Sequence, residues 1–373
     1  MRLLVLNGGS SSLKYTLFDQ QKVVVEGSVE QIGEVGGVAD YHTALLEVER
    51  RLIDHGAIQS FEMLDAVAHR VVHGGERFIE PVIIDDEVVK AIRELIPLAP
   101  LHNRANLEGI ERMRKLIPST PQVAIFDTAF HHAMPPSAYL YAIPMHLYKE
   151  YGIRRYGFHG TSHAYVAKET AKILKRPLES LHLITLHLGN GASVCAIEGG
   201  KSIETSMGFT PLEGLVMGTR CGDIDPGIAL FLEKEGLDVD TILNKESGLK
   251  GICGHNDMRQ VEQMALEGDE KAQLAIKIFV HRIKKYIGAY IALLGRVDGL
   301  IFTAGIGEHS AFIRAEICHG LETMDIVIDA KRNALHQTII SSEESAIKIL
   351  VIKTDEAREI ARQTEALLSV GKL

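Results

Sequence analysis

The chain has 373 residues, 46% apolar and 24% charged, with a formal net charge of −9. At roughly 100–200 residues per domain this is two domains or one large one, with ample material for a core. The longest uninterrupted apolar run, around Ile287–Leu294, is far short of the ~20 residues of a bilayer span, and an acidic chain lacks the concentrated positive surface that nucleic acid or an anionic membrane requires.

From the first residues onward, strand-like runs rich in Val, Ile and Leu alternate with amphipathic segments, the order of an α/β protein. Only Leu3–Leu6 separate Arg2 from Asn7-Gly8-Gly9, too short for the apolar run of an export signal, and the four cysteines are widely spaced with no C-x-x-C pair. A reducing cytoplasm is therefore expected, with neither a disulfide framework nor a zinc knuckle. Predicted strands are Leu3–Leu6, Tyr15–Phe18, Lys22–Val25, Ala66–Val72, Gln122–Phe126, Leu183–Leu188, Ser193–Ile197, Gly299–Thr303 and Ile347–Ile352. Predicted helices include Tyr41–His55, Glu87–Ile96, Ala105–Leu116, Ser162–Leu174, Ile228–Lys234, Glu270–Leu294 and Asp355–Leu368. In Glu270–Leu294 the residues Ile276, Phe279, Ile283, Ile287, Tyr290 and Leu294 fall on one stripe, read as core or as a subunit contact.

A weak internal duplication organises the chain. LLVLNGGSSSLKYTLFD near the start and LITLHLGNGASVCAIEGG about 180 residues later share a plan of strand, Gly/Ser turn and second strand. A third glycine turn, Thr303-Ala304-Gly305-Ile306-Gly307-Glu308, follows Gly299–Thr303. Successive N–H groups in such turns form anion-binding concavities, so three of them suit a polyphosphate, although one alone is ordinary hairpin chemistry. Neither a Walker P-loop nor a G-x-G-x-x-G dinucleotide fingerprint is present; Gly199-Gly200-Lys201-Ser202 has Cys195 where the first P-loop glycine belongs, and reads as a turn.

Charged residues and histidines supply the candidate chemistry. Alternation puts Arg70 on the same strand face as Ala66, Ala68 and Val72, where a guanidinium needs a partner or a ligand. Arg220 lies in the glycine-flanked loop Met217–Gly222 with the donor geometry for phosphoryl or carboxylate. Each arginine also fits a structural ion pair. Asp127 closes Gln122–Phe126 at the carboxyl end of a strand, as a functional group or as a helix cap. His159 and His163 have the spacing of a zinc pair but lack the H-E-x-x-H glutamate; Thr161 as N-cap would set His159 at a helix N-terminus, an anion site. Glu356, in the first turn of the last helix, reads either as a dipole-stabilised carboxylate or as a magnesium ligand.

Together the motifs NGGSSSLK (7–14), HRVVHGGE (69–76), APLHN (99–103), FDTAFH (126–131), YGFHGTSH (156–163), HLGNGAS (187–193), SMGFTPLEGLVMGTRCG (206–222) and FTAGIGE (302–308) resemble the acetate kinase family, in the acetate and sugar kinase, heat-shock ATPase and actin superfamily. They span nearly the whole chain in the family's order. The resemblance implies a duplicated actin-like, ribonuclease H-like α/β fold of two domains with an interdomain active-site cleft and hinge closure. Its domains would be residues 1–129, completed by about 357–373, and a nucleotide-binding domain over 130–356. It implies reversible phosphorylation of acetate to acetyl phosphate by ATP, with Mg²⁺ or alternatively Mn²⁺, in a cytoplasmic homodimer.

Carried over by position, Asn7, Arg70, Asp127, His159 and Arg220 become the catalytic set. Ser10, Ser12 and Lys14 belong to the first phosphate turn, while His187, Leu188, Gly189, Asn190, Gly191, Asp257, Met258, Arg259, Gly305, Ile306, Gly307, Glu308 and His309 surround the nucleotide. Arg70, Val72, Leu101, His102, Phe158 and Pro211 hold the acyl substrate, and Asn7 and Glu356 the metal. The chain departs from the family at His309, where Asn is usual, at Asp355 and Ala357 in Thr354–Ala357, and in a short Gly27–Asp65 region. A propionate or other short-chain acyl kinase remains an alternative, as do an actin-like nucleotide switch and a metal-dependent hydrolase.

Overall fold

β1 (Arg2–Gly8) is apolar on both faces because both are covered, and that double burial is what writes an unbroken Leu-Leu-Val-Leu run. In the computed structural model, which describes residues 1–370 except Ser10 and Val35, the chain separates into two units. The first is Met1–His132 together with the residues from Asp355 onward; the second is Ala133–Thr354.

The first unit is built on a six-stranded sheet in the order β3-β2-β1-β4-β6-β5, formed by β1, β2 (Ser12–Asp19), β3 (Lys22–Glu30), β4 (Ala66–Val71), β5 (Val82–Ile83) and β6 (Gln122–Phe126). β1, β2 and β3 form an antiparallel meander, whereas β1, β4 and β6 run parallel. Side chains alternate across the sheet. Leu4, Leu6 and Val67 pack with Leu45, Val48, Leu52 and Met113 of the helices Tyr41–Asp54 and Pro100–Leu116. Leu3, Val5, Ala66, Ala68, Val123 and Ile125 face Ile360 and Ala361 of the C-terminal helix Glu356–Val370.

The second unit repeats this plan. β7 (His182–Leu188), β8 (Ala192–Glu198) and β9 (Lys201–Thr205) form an antiparallel meander, and β7, β10 (Gly299–Thr303) and β11 (Lys348–Val351) run parallel, in the order β11-β10-β7-β8-β9. The five-strand order and the sense of every pairing match those of β3, β2, β1, β4 and β6. The internal duplication is thus a duplicated ribonuclease H-like α/β topology. Helix Glu270–Leu294 is capped by Asp269, whose carboxylate accepts the Ala272 N–H at 2.7 Å. Its stripe from Ile276 to Leu294 is buried within this chain, so it is core rather than a subunit contact.

The structure corrects several local expectations. β4 ends at Val71, placing Val72 just beyond the strand, and helix Pro100–Leu116 begins at Pro100 instead of Ala105 because proline is well suited to the first helical turn. The third glycine turn is a helix, Ala304–His309: the Glu308 carboxylate accepts the Ala304 N–H at 2.9 Å and closes its first turn. Thr161 lies inside helix Gly160–Leu174, and His159 itself stands at the N-cap with φ +57°.

Candidate active site

At the carboxyl ends of the first unit's parallel strands, register brings three polar groups onto the face beneath the C-terminal helix. Asn7 pairs with Arg70 across β1 and β4, and Arg70 with Ile125 across β4 and β6; Asp127 follows two residues later on the same face. Arg70 accordingly donates through Nη1 to Asn7 Oδ1 at 3.0 Å and through Nε to Asp127 Oδ1 at 3.1 Å, while Nη2 closes a second bond to Asp127 Oδ2. Glu356 Oε2 lies 3.6 Å from Arg70 Nε.

Burial works against the Arg70 charge, but Asp127 and Glu356 more than offset it and hold its pKa above the ordinary value. Burial likewise pushes the Glu356 carboxyl up, Asp127 adds to that, and Arg70 and Lys14 oppose it. Lys14, paired with Asn7 across the first hairpin, is exposed. Ser12 is half-buried, whereas Ser10 and the side chain of Leu101 lie outside the described residues. Val72 is buried and His102 half-buried, both in this unit.

The second unit gathers a different set. His159 Nδ1 lies 2.9 Å from Ser193 Oγ, and the same hydroxyl is 2.8 Å from His163 Nε2, whose Nδ1 is 2.7 Å from Thr185 Oγ1. The His159 ring stacks on His187 with centroids 4.1 Å apart, and His187 Nδ1 is fixed by Ser162 Oγ at 2.8 Å. These contacts tie the histidines of the two motifs to hydroxyls and to one another. Among the described residues no group of three His, Cys, Asp or Glu side chains could hold a metal.

Arg220 sits in a loop tied down on several sides: Asn190 O accepts the Gly218 N–H at 3.0 Å, and Met217 O accepts the Leu249 N–H at 2.9 Å. Its Nη1 donates to Pro211 O at 3.2 Å and lies 3.7 Å from Met217 Sδ. Among the described residues it has no carboxylate partner, and burial alone lowers its pKa. A Cβ built on Gly191 would stand 3.6 Å from both Arg220 Nη1 and His159 Nε2. Two side-chain nitrogens therefore converge beside the second glycine turn with a hydrogen in its place. Phe158, buried, and Pro211, half-buried, belong to this unit.

Next to that turn opens a cavity of about 480 Å³ lined by Gly189, Asn190, Asp257, Met258, Arg259, Gly305, Ile306 and His309. Arg259 Nη2 is held by Asp257 Oδ2 at 2.6 Å. Asn256, Glu262 and Ser310 also line it and were not foreseen from sequence; burial raises the Glu262 carboxyl while a bond from Ser310 opposes the shift. Glu308 faces the backbone instead, accepting from Ala304 N and Thr354 N at 2.9 Å each. Leu188 and Gly307 are buried and are not among the residues lining the cavity.

The acetokinase family model matches residues 2–362. The chain belongs to the acetokinase family, phosphotransferases with a carboxyl group as acceptor. It is 51% identical to the acetate kinase of Syntrophobacter fumaroxidans, over 98% of this chain and 96% of that one. The crystal structure of Porphyromonas gingivalis acetate kinase superposes with a TM-score of 0.93 at 43% identity, covering 98% of this chain and 99% of that one. A propionate kinase from Francisella tularensis subsp. tularensis superposes with a TM-score of 0.92 at 42% identity, covering 97% and 98%. Within the acetokinase family, the HLGNGAS motif already contained Ser193, the hydroxyl between two histidines, but no local pattern marked it.

Proposed function

We propose that this chain transfers a phosphoryl group reversibly between ATP and acetate, forming ADP and acetyl phosphate by direct in-line attack. The observation that carries the reading is Arg220, a desolvated guanidinium with no carboxylate partner among the described residues, converging with His159 Nε2 at the glycine turn beside a nucleotide-sized cavity. A cation so placed favours an anionic ligand. The cavity over Gly305 and Ile306 suits a nucleoside, which supports ATP and ADP as co-substrates.

A carboxylate is already nucleophilic at pH 7, so no base has to remove a proton. The work left to the protein is positioning and charge stabilisation around a loose, metaphosphate-like group. In this reading Arg70 and Arg220 donate to the transferring oxygens and His159 to their developing charge. Asp127 fixes the Arg70 fork, Ser12 and Lys14 serve the first phosphate turn, and Val72, His102, Phe158 and Pro211 serve the acyl substrate. Asn7 and Glu356 offer hard oxygen donors, and a carboxyl raised by burial, with Asp127 adding to it, would be relieved by a cation, so these residues fit Mg²⁺. The ion would supply charge neutralisation on the phosphates.

Propionate is the second reading, favoured by the similarity to a propionate kinase. One methylene is worth only about 1–3 kcal/mol in a pocket. No described helix is long and apolar enough to cross a membrane. We place the protein in the cytoplasm as a homodimer. The dimer must use a face other than the buried Ile276–Leu294 stripe, and Ile228, Leu230 and Phe231 of helix Pro226–Lys234 are exposed and apolar.

Hydroxylamine trapping of acyl phosphate from MgATP with acetate, propionate and butyrate tests the proposal. Acetate is expected to give the highest kcat/KM. Bound ATP with no product from any acid would refute the kinase reading.

A further inference from the structure

Helix Pro100–Leu116 places two buried asparagines, Asn103 and Asn106, one turn apart against the ends of β1 and β4. Asn103 closes on a single residue: its Oδ1 accepts the His73 N–H at 3.0 Å and its Nδ2 donates to His73 O at 2.9 Å. Asn106 instead joins two strands. Its Oδ1 accepts the Val72 N–H at 3.1 Å, and its Nδ2 donates to Gly8 O at 2.7 Å.

The location of this bridge matters. β1 and β4 are paired in register from Leu3↔Ala66 to Asn7↔Arg70, and there the pairing ends. Gly8 goes on into the first glycine turn and Val72 into the segment beyond β4. The amide of Asn106 spans the two chains just past their last paired residues. With a donor needed at one end and an acceptor at the other, an amide satisfies both, and its orientation is fixed by the two backbone groups it meets. The turn is braced independently by Tyr41, whose hydroxyl donates to Gly9 O.

We infer that Asn106 is a positioning residue that sets the separation between the phosphate turn at Gly8 and the acyl-pocket wall at Val72, and through it the preference for acetate over longer acids. This rests on the proposed roles of Val72 and of the first turn. Among the described residues no other side chain bonds both Gly8 and Val72, so loss of Asn106 removes the direct tie between them beyond the last paired residues of β1 and β4.

The test is steady-state trapping of acyl phosphate by the full chain, with acetate and propionate, for the wild type, Asn106→Ala, Asn106→Asp and Val72→Ala. For Asn106→Ala, kcat is expected to fall about a hundredfold, the scale of a small misplacement. KM for acetate should rise and the acetate-to-propionate ratio of kcat/KM should fall about fivefold or more, within the range one methylene allows, with KM for ATP changing less than about twofold. Asn106→Asp keeps the acceptor for Val72 N–H and sets an oxygen against Gly8 O. It should therefore lose kcat while keeping KM for acetate closer to wild type, and it carries the test if the alanine variant fails to fold. A purely structural residue would lower Tm and the active fraction while leaving both KM values and the acid ratio unchanged, and that result overturns the inference. An unchanged ratio in Val72→Ala would refute the pocket assignment and the inference together; a shift there with none in Asn106→Ala would refute the inference alone.

Discussion

Arg70 and Arg220 are the same chemical group in two opposite environments. Arg70 is held by Asn7 and Asp127 and approached by Glu356, so its charge is largely answered by the protein. Arg220 is held by a backbone carbonyl and a thioether, neutral partners that orient it without cancelling its charge. The duplicated sheets supply the same strand order to both units, yet the first keeps its cation balanced and the second keeps its cation open to an anion. A duplicated scaffold can therefore divide labour through a side chain at a strand end in one unit and one in a loop in the other.

The largest expected effect breaks this comparison in two directions. Arg70→Ala and Arg220→Ala should each lose several powers of ten in kcat if, as proposed, both donate to the transferring group. Their stabilities should diverge. Removing Arg70 leaves Asp127 and Glu356 without their shared cation, at a cost of about 3–5 kcal/mol. Removing Arg220 relieves a desolvated charge, so its unfolding free energy should stay level or rise. Urea unfolding of both variants, run beside the kinetics, decides the matter: equal destabilisation would mean that Arg220 has a protein counter-charge after all.

A second effect sharpens the contrast from the first unit's side. Beside Arg70 on β4 lies His69, and just beyond the strand His73; burial lowers their pKa values to about 4 and about 3, with Gln122 partly opposing the shift at His69. Both are neutral in the folded state, leaving Arg70 as the cation that the carboxylates answer. Because the unfolded chain binds these protons at a higher pH, their contribution is fully present above about 6.5 and is lost as pH falls toward 4 and below. For His69 this is about 3 kcal/mol. Unfolding midpoints at pH 7.5, 6 and 5 should fall steadily, and His69→Gln should flatten the slope. A parallel slope in wild type and variant would remove His69 from the account.

Sequence made the strand ends legible for a physical reason. Alternation on β4 put Arg70 on the face of Ala66 and Ala68, and that face is the one covered by Ile360 and, at its end, Glu356. Long buried strands and the Glu270–Leu294 stripe were equally readable because their burial is written in apolar periodicity. Features fixed by distant partners were not. The turn read over Thr303–Glu308 is a helix because Glu308 reaches back to Ala304 N, and short β5 and β9 carry too little pattern to stand out. Asn106 shows the same limit: its position on a helix was readable, its two backbone partners were not. Nor could sequence tell which of two glycine-flanked or strand-end arginines would find a carboxylate.

The smallest expected effect compares glycines of the two hairpin turns. A Cβ on Gly8 would meet the Tyr41 hydroxyl at 3.3 Å and Asn106 Nδ2 at 3.5 Å, which are braces of the scaffold. A Cβ on Gly191 would meet Arg220 Nη1 and His159 Nε2 at 3.6 Å, ordinary contact distance, at a backbone conformation open to any residue. Gly191→Ala should therefore fold normally, even gaining a few tenths of a kcal/mol from the stiffer unfolded chain. It should still lose about a hundredfold in kcat, about 2.7 kcal/mol of barrier, if, as proposed, Arg220 and His159 approach the transferring group from the side the methyl occupies. Gly8→Ala should reverse the order, losing stability first and activity in proportion. If Gly191→Ala keeps full turnover, the convergence of Arg220 and His159 is not where phosphoryl transfer is stabilised, and the open cation of the second unit must serve nucleotide binding alone.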